Sequence, residues 1–400
     1  MKILQINAVN GILSTGRTTL EIAKELDLLG HESYIAYAMA EPYGDRSYRI
    51  GCVLDRKLHA LFSRIFGLQG YFSIIATLRL IHYMKKIRPD IVHLHNLHSN
   101  FINLKLLLGY LAKYKIATVI TLHDCWFFTG RCFYYTINQC NQWQTKCHRC
   151  PNNDNTTPNW FFDRSEKMWK DKKRYFGKLD KLAVVGVSDW ITEEGKKSFL
   201  SGAYKIMRIY NWINLDIFKP KLETELRRSL GLEKDFVIIG VAATWCASKG
   251  VYEFIKLSKI LPKNSRIILV GKMDQKYNLP SNIISIPRTN DSAELASYYS
   301  MSDVMVSLSR EETFGKVVAE AICCGTPAVV YNATALPELI GEGCGYVTKE
   351  NNLDEILRCI ELIRANKKSS YTERCREFAQ EHFDLHKNVK EYEALFKAML

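Results

Sequence analysis

An order of strand, turn and helix that runs from Lys2 to about Val187, and then starts again at Phe236, constrains this chain more than any other feature. In the first half, Lys2–Ala8, Ser33–Ala38, Asp90–Leu94, Ala117–Leu122 and Leu182–Val187 are short apolar runs of a length suited to buried strands. Between the first two, Asn10–Gly16 is a cluster of turn residues. Arg17–Leu29 then sets Leu20, Ala23, Leu26 and Leu29 near helical spacing and closes on Gly30. The second half repeats the scheme with Phe236–Ala242, a loop at Thr244–Ser248, a helix over Val251–Leu261, and strands at Arg266–Val270, Ile283–Ile286, Asp303–Ser307 and Ala328–Tyr331. Such alternation predicts parallel sheets covered by helices, so the expected fold is α/β with two Rossmann-like doubly wound domains. A length of 400 residues agrees with two domains rather than one. The expected boundaries are residues 1–213 and 214–385, parting near Asn214–Lys221, with a last helix over His386–Leu400 that could pack on either half. Open parallel sheets bind ligands beyond the carboxyl ends of their strands, and two of them facing each other would form a cleft.

Composition narrows the partners. Lys and Arg number 55 against 42 Asp and Glu, a net charge of 55 − 42 = +13, with 47% hydrophobic and 24% charged residues. These fractions exclude disordered, collagen-like and coiled-coil chains. The uncharged stretch Ile65–Leu78 contains Arg-free but broken sequence, interrupted by Gly67, Gln69 and Gly70, and is shorter than the roughly 20 apolar residues a membrane-spanning helix needs. The first ten residues carry Gln5, Asn7 and Asn10 where a signal peptide would be apolar, so the expectation is a cytoplasmic chain whose 12 cysteines are thiols or metal ligands. The positive charge suits nucleic acid, an anionic membrane surface or a phosphorylated small molecule, and it also serves plain solubility.

The segment that chooses among these is Ser309–Pro327, SREETFGKVVAEAICCGTP. Glu312 falls in a loop and Glu320 in the helix that follows. Gly315 stands where that helix begins, and Gly325-Thr326-Pro327 ends it. The backbone N–H groups of Phe314, Gly315 and Lys316 at a helix start form a ready anion site. Carboxylates beside phosphate donors suit a ligand with both hydroxyls and phosphates, and a sugar nucleotide has both. Two exposed glutamates on a surface helix are the plain alternative.

At these residues the chain resembles the family 4 retaining glycosyltransferases of the GT-B fold, closest to bacterial enzymes that build capsule or colanic-acid-like surface polysaccharides. The likeness implies that Glu312 binds the donor sugar hydroxyls and Glu320 the ribose. It implies a donor-sugar contact next to the anomeric carbon for His123, in Thr121-Leu122-His123-Asp124 at a strand end. It offers His95 and His98, in Pro89–His98, as candidates for acceptor contact, beside core packing or a turn. Asn10–Arg17, with Gly16, resembles the loop that approaches the donor phosphates. Ser248-Lys249-Gly250 resembles the family's Lys-Gly, whose lysine pairs with the diphosphate. Many relatives carry an arginine five residues earlier, where this chain has Thr244, so Lys249 is expected to act with Lys316, Arg310 or the helix dipole. Pro287–Asn290, with Arg288, resembles the segment lining the base pocket, and Asn211–Phe218 resembles the junction between domains.

The implied reaction moves a sugar from a UDP- or GDP-sugar to a saccharide acceptor, a polyprenyl-diphosphate-linked one among the options, with retention and with no catalytic cofactor or metal. A sugar-nucleotide isomerase or hydrolase of the same fold is the alternative. A nucleic-acid partner is set aside because it would leave Glu312, Glu320 and the paired α/β halves unexplained.

Two further segments stand out. Cys132, Cys140, Cys147 and Cys150, within an insertion over residues 125–160, include one C-x-x-C pair and suit structural zinc in a loop with few aliphatics; unliganded thiols, or a disulfide or redox role, are the other readings. Arg56–Arg88 mixes Leu, Ile and Phe with seven basic residues, as does the basic stretch Lys167–Lys181. A peripheral face for the inner leaflet of the membrane and a solvated helix surface are both consistent with that pattern.

Overall fold

The computed structural model describes residues 1–40, 42–151, 158–274, 277–289 and 291–400. They divide into two compact units, Met1–Ile209 with Val389–Leu400, and Tyr210–Asn388. The seam thus lies a few residues before the expected 213/214. The reason is local: the Ile213 N–H donates to the Phe383 carbonyl at 3.0 Å, and Tyr210 packs its ring against Phe383, so both residues belong to the second unit.

The first unit is built on seven strands, β1 (Lys2–Asn10), β2 (Glu32–Ala40), β3 (Ser47–Arg49), β4 (Ile91–Leu94), β5 (Ala117–Leu122), β6 (Leu182–Gly186) and β7 (Lys205–Arg208). Its helices are α1 (Leu13–Leu28), α2 (Val53–Phe66), α3 (Ile74–Ile87), α4 (Leu104–Lys113), α5 (Ser165–Phe176) and α6 (Asp189–Lys197). The strand order is β3-β2-β1-β4-β5-β6-β7, parallel at every pairing. Right-handed crossovers place the helices of the β1-to-β3 side on one face and those of the β4-to-β7 side on the other. The order reverses between β1 and β4, and that is where an open sheet leaves a crevice beyond its carboxyl ends.

The second unit contains α7 (Thr224–Ser229), β8 (Phe236–Thr244), α8 (Val251–Ile260), β9 (Ser265–Lys272), β10 (Ile283–Ile286), α9 (Ser292–Met301), β11 (Val304–Ser307), α10 (Lys316–Cys323), β12 (Ala328–Tyr331), β13 (Gly345–Thr348), α11 (Leu353–Asn366) and α12 (Ser369–His382). Its strands run β10-β9-β8-β11-β12-β13, again all parallel. Here the order reverses between β8 and β11.

The last helix, α13 (Leu385–Met399), contributes to the first unit from Val389 onward. Tyr392 and Phe396 set their rings against His93 of β4, at 5.2 and 5.6 Å, and the Tyr392 hydroxyl meets Thr121 Oγ1 of β5 at 3.0 Å.

Helix α1 begins at Leu13, four residues before the expected Arg17, so Ser14, Thr15 and Gly16 form its first turn instead of a loop. Gly16 packs so closely on β1 that a Cβ there would lie 3.1 Å from Val9 Cγ2 and 3.2 Å from Gly11 N. The polar residues of β1 are buried with partners: the Gln5 amide donates to the Thr19 carbonyl at 3.0 Å and Asn7 donates to Thr19 Oγ1 at 2.9 Å. Among the described residues no helix is long and apolar enough to cross a membrane.

Candidate functional site

In the second unit, the loops after β8 and β11 meet at the strand-order reversal. The Arg310 N–H donates to the Ser248 carbonyl at 3.1 Å, tying the two loops together. Lys249 Nζ then lies 2.5 Å from Glu312 Oε1 and 3.3 Å from Ser309 Oγ. Glu312 is fixed from its other side, its N–H donating to Thr334 Oγ1 at 2.9 Å. Gly250 precedes α8 at φ +78° and Gly315 precedes α10 at φ +90°, a backbone region that favours glycine. A Cβ on Gly315 would also sit 2.9 Å from Leu336 Cδ2 and Leu339 Cδ1. The opening N–H groups of α10, at Gly315, Lys316 and Val317, have no acceptor within the helix itself, and its dipole favours an anion there.

The other residues expected here fall into different roles. Phe314 is buried between Tyr210 and Phe383, with ring centroids at 6.1 and 5.6 Å, so only its backbone can serve a ligand. Lys316 is half-buried at the first position of α10. Glu320 lies one turn further along, buried, and accepts a hydrogen bond from the Tyr299 hydroxyl at 3.1 Å. Burial, and then the neighbouring Glu320 carboxylate, push the Tyr299 hydroxyl well above its ordinary value, so it remains a donor. Arg310 is engaged by Glu253 at 3.0 Å and Asn351 at 2.9 Å. Arg288 is exposed in the loop after β10, and β10 is an edge strand with β9 between it and β8. The structure therefore does not bring Arg288 together with the Lys249–Glu312 pair. Asn290 lies outside the described residues. Thr244, in the position of the missing arginine, pairs in register with Lys272 of β9, which pairs with Asp274 at 2.5 Å.

The first unit gathers imidazoles at its own strand-order reversal. His95 follows β4 and His123 follows β5, with His95 Nδ1 3.0 Å from His123 Nε2 and His95 Nε2 3.0 Å from Gln5 Oε1. Because the Gln5 amide nitrogen donates to the Thr19 carbonyl, its Oε1 is the end that faces His95 and must accept. Burial holds His95 well below the ordinary histidine value, so it is neutral, carries its proton on Nε2, and accepts on Nδ1. His123 therefore donates through Nε2. This corrects the reading of His95 as an acceptor contact: it is fully buried and reaches only through His123. His98 is committed as well, with Nε2 3.0 Å from Asp124 Oδ2 and its ring 4.4 Å from that of Phe133. Burial alone would raise the Asp124 carboxyl, but His98 and the Trp126 N–H together hold it below its usual range. Gln5 was legible only as a polar residue inside an apolar strand; Thr334 and Tyr299 left no signal.

The four cysteines expected to hold zinc are not gathered into a ligand set here. Among the described residues no group of three or more His, Cys, Asp or Glu is placed to hold a metal ion. Cys132 and Cys147 are buried, and Cys140 and Cys150 partly so. Burial pushes the Cys147 thiol up to about 12. The insertion has an aromatic core of its own: Trp143 packs on Phe128 and Tyr135 at 4.9 and 5.0 Å, and Trp169 Nε1 donates to the Trp143 carbonyl at 2.8 Å. Buried Lys172 donates to the Trp126 and Thr129 carbonyls at 2.6 and 3.1 Å and stands 3.6 Å over the Trp126 ring. These contacts supply the order that a metal was expected to provide.

Comparison with known proteins agrees with this anatomy. The family described as Glycosyltransferase Family 4 matches residues 15–217, and that described as Glycosyl transferases group 1 matches residues 223–382. The colanic acid biosynthesis glycosyl transferase WcaC of Escherichia coli K12 is 25% identical over 69% of this chain and 67% of its own length. Among solved structures, sucrose-phosphate synthase from Thermosynechococcus elongatus superposes with a TM-score of 0.72 at 16% identity, covering 100% of this chain and 98% of that one. HepE of Anabaena, solved in complex with UDP-glucose, gives 0.68 at 15% identity, with 100% of both chains covered. These likenesses, together with the two all-parallel sheets, show the GT-B fold. With one family description spanning half its length on that frame, the chain is a glycosyltransferase and belongs to glycosyltransferase family 4.

Proposed function

We propose that this glycosyltransferase moves a sugar, with retention at the anomeric carbon and without a metal, from a UDP- or GDP-sugar to a lipid-linked saccharide in the making of a bacterial surface polysaccharide. The observation that carries the reading is the Lys249–Glu312 pair, held at the reversal of the second sheet by the loop that leads into α10. In this reading the donor diphosphate rests on the opening N–H groups of α10 and on Lys249, while Glu312 accepts from donor-sugar hydroxyls. Glu320, oriented by Tyr299, accepts from the ribose. Transfer develops negative charge on the leaving diphosphate and positive charge on the anomeric carbon. Fixed donors placed in advance around the diphosphate lower that barrier without reorganising. Lys272, in register with Thr244, is the cation in line to serve where relatives carry arginine. In the first unit, His123 contacts the donor sugar, its Nε2 side occupied by the Gln5–His95 relay. The departing phosphate takes the acceptor's proton. The name of WcaC supports the polysaccharide setting, and the HepE complex supports a uridine nucleotide.

The test is an assay of the purified protein with a panel of UDP- and GDP-sugars and polyprenyl-diphosphate saccharides, with and without EDTA, and the product linkage read by NMR. Transfer with an unchanged anomeric configuration in EDTA is expected. An inverted product removes the retaining assignment, and release of free sugar with no acceptor product favours a hydrolase.

A further inference from the structure

Helix α2 is built inside out. Its two buried residues are His59 and Ser63. His59 Nδ1 meets Ser73 Oγ at 2.8 Å, and Ser73 donates to Asp55 at 2.7 Å. The helix thus seats itself by a polar seam, while Leu54, Leu58, Leu61, Phe62 and Phe66 stand exposed. Their spacing keeps them on one side of the helix.

Two neighbours extend this apolar face. Ser73, whose hydroxyl joins this seam, immediately precedes α3, so Ile74, Ile75 and Leu78 come next to it, with Ile75 66% exposed. At the other end of α2 the Trp160 N–H donates to the Arg64 carbonyl at 2.8 Å. That bond brings up Trp160, Phe161 and Phe162, with Phe161 71% exposed. Phe62 and Phe66 lie within 6.2 Å of each other, and Phe72 lies 5.5 and 6.1 Å from them. Apolar side chains scattered singly on a surface need no explanation, but a connected face of this extent does.

The charge around the face names its partner. Residues 53–88 hold seven Lys and Arg against one acidic residue, a balance of 7 − 1 = +6. Lys57, Arg79, Lys85 and Lys86 are exposed. Two copies of this face would repel each other, which disfavours a symmetric dimer through it. Aromatic and aliphatic side chains bordered by Lys and Arg match the boundary between anionic headgroups and acyl chains.

We propose that α2, the first turn of α3 and Trp160–Phe162 form the face by which this protein docks on an anionic phospholipid bilayer. The apolar stripe enters the boundary of the acyl layer and the surrounding cations pair with lipid phosphates. The purpose of docking rests on the lipid-linked acceptor proposed above, but the docking itself is measured without donor or acceptor.

The experiment is sedimentation of the full chain with vesicles of phosphatidylcholine alone or mixed with phosphatidylglycerol. Expected are binding to the mixed vesicles at least about tenfold tighter than to the neutral ones, since each basic residue near an anionic surface is worth about fivefold, and a blue shift of tryptophan emission that Trp160→Phe diminishes. Phe161→Asp, at the most exposed aromatic of the face, should weaken binding at least about tenfold with unchanged thermal unfolding, and Leu61→Asp with Phe62→Asp should weaken it as much, its fold checked by circular dichroism because Phe62 also packs on Phe72. Lys57→Glu with Lys85→Glu and Lys86→Glu should abolish the preference for anionic lipid. Equal binding to both vesicles, no binding to either, unaltered binding by the apolar variants, or a dimer that Phe62→Asp dissociates would each overturn the proposal. The apolar variants should still transfer sugar to a water-soluble acceptor fragment. Loss of transfer in the wild type with vesicle binding intact would instead strike the donor reading.

Discussion

Lys249 Nζ stands 2.5 Å from Glu312 Oε1, an ion pair that joins the loop after β8 to the loop after β11. Each partner holds the other in place where a ligand offering both phosphate and hydroxyl would engage them. A diphosphate would draw Lys249 towards itself and leave Glu312 to accept hydroxyls. Lys249→Ala is predicted to lower kcat about 100- to 1,000-fold, the usual loss when one donor to a developing anion is removed. Glu312→Gln should keep UDP or GDP affinity and lose discrimination for the sugar. Binding of nucleoside diphosphate by calorimetry separates the two, and equal loss in both variants would contradict this division of labour.

The relay from Gln5 through His95 to His123 makes a second prediction. Gln5→Leu removes the acceptor that holds the proton on His95 Nε2, so His95 can change tautomer and His123 loses its fixed donor role. Kcat should fall roughly tenfold with the donor KM unchanged, for about 1–3 kcal/mol of lost polar pairing. Nitrogen-15 shifts of the imidazoles report the tautomers directly. A Gln5→Leu protein with wild-type tautomers would refute the relay.

Acid should unfold the first unit early. Burial lowers His59 and His93 to about 3 and His95 well below its ordinary value. The folded values lie under the unfolded value near 6.5, so the unfolded chain binds more protons, and stability is lost as pH falls through about 6.5. Each histidine costs about 1 kcal/mol between pH 6.5 and 5.5, or about 3 kcal/mol for the three. Urea titrations at the two pH values measure this, and a flat response would mean that these rings are charged in the folded protein.

Metal removal should leave the cysteine-containing insertion intact. With its order coming from Trp143 and Lys172, EDTA is predicted to leave the melting temperature unchanged, and tag-free protein should hold little zinc. Trp143→Ala should destabilise the first unit by about 3–5 kcal/mol, as for other buried aromatics. A melting temperature that drops in EDTA would reinstate the metal.

Much of this frame could be read from residues alone, for physical reasons. Ala117–Leu122, Ile283–Ile286 and Ala328–Tyr331 are apolar runs between turn residues, and they are strands with those bounds. The strands that sequence reading missed, β3, β7 and β13, are short edge strands with mostly half-exposed residues, so they carry no apolar run. That Glu312 lies in the loop before α10 and Gly315 at its start was legible, because a glycine at a helix start leaves a local pattern; the contact of Lys249 with Glu312 was not, since it joins two loops far apart in sequence. The roles of His95 and His98 were not legible, since spacing along a strand does not say which imidazole lies beneath another. Nor does the spacing of Cys132, Cys140, Cys147 and Cys150 say that Trp143 packs on Phe128 and Tyr135 within the same insertion.

The first unit draws its last pieces from residues 389–400, where Tyr392 touches Thr121 two positions before His123. During synthesis, then, the half of the protein that emerges first must wait for the half made later before its histidine shelf is closed. A ribosome-bound chain reaching only Asn388 would hold every residue of the second unit and still lack Tyr392 and Phe396, which cover His93, so the unit that begins first closes last.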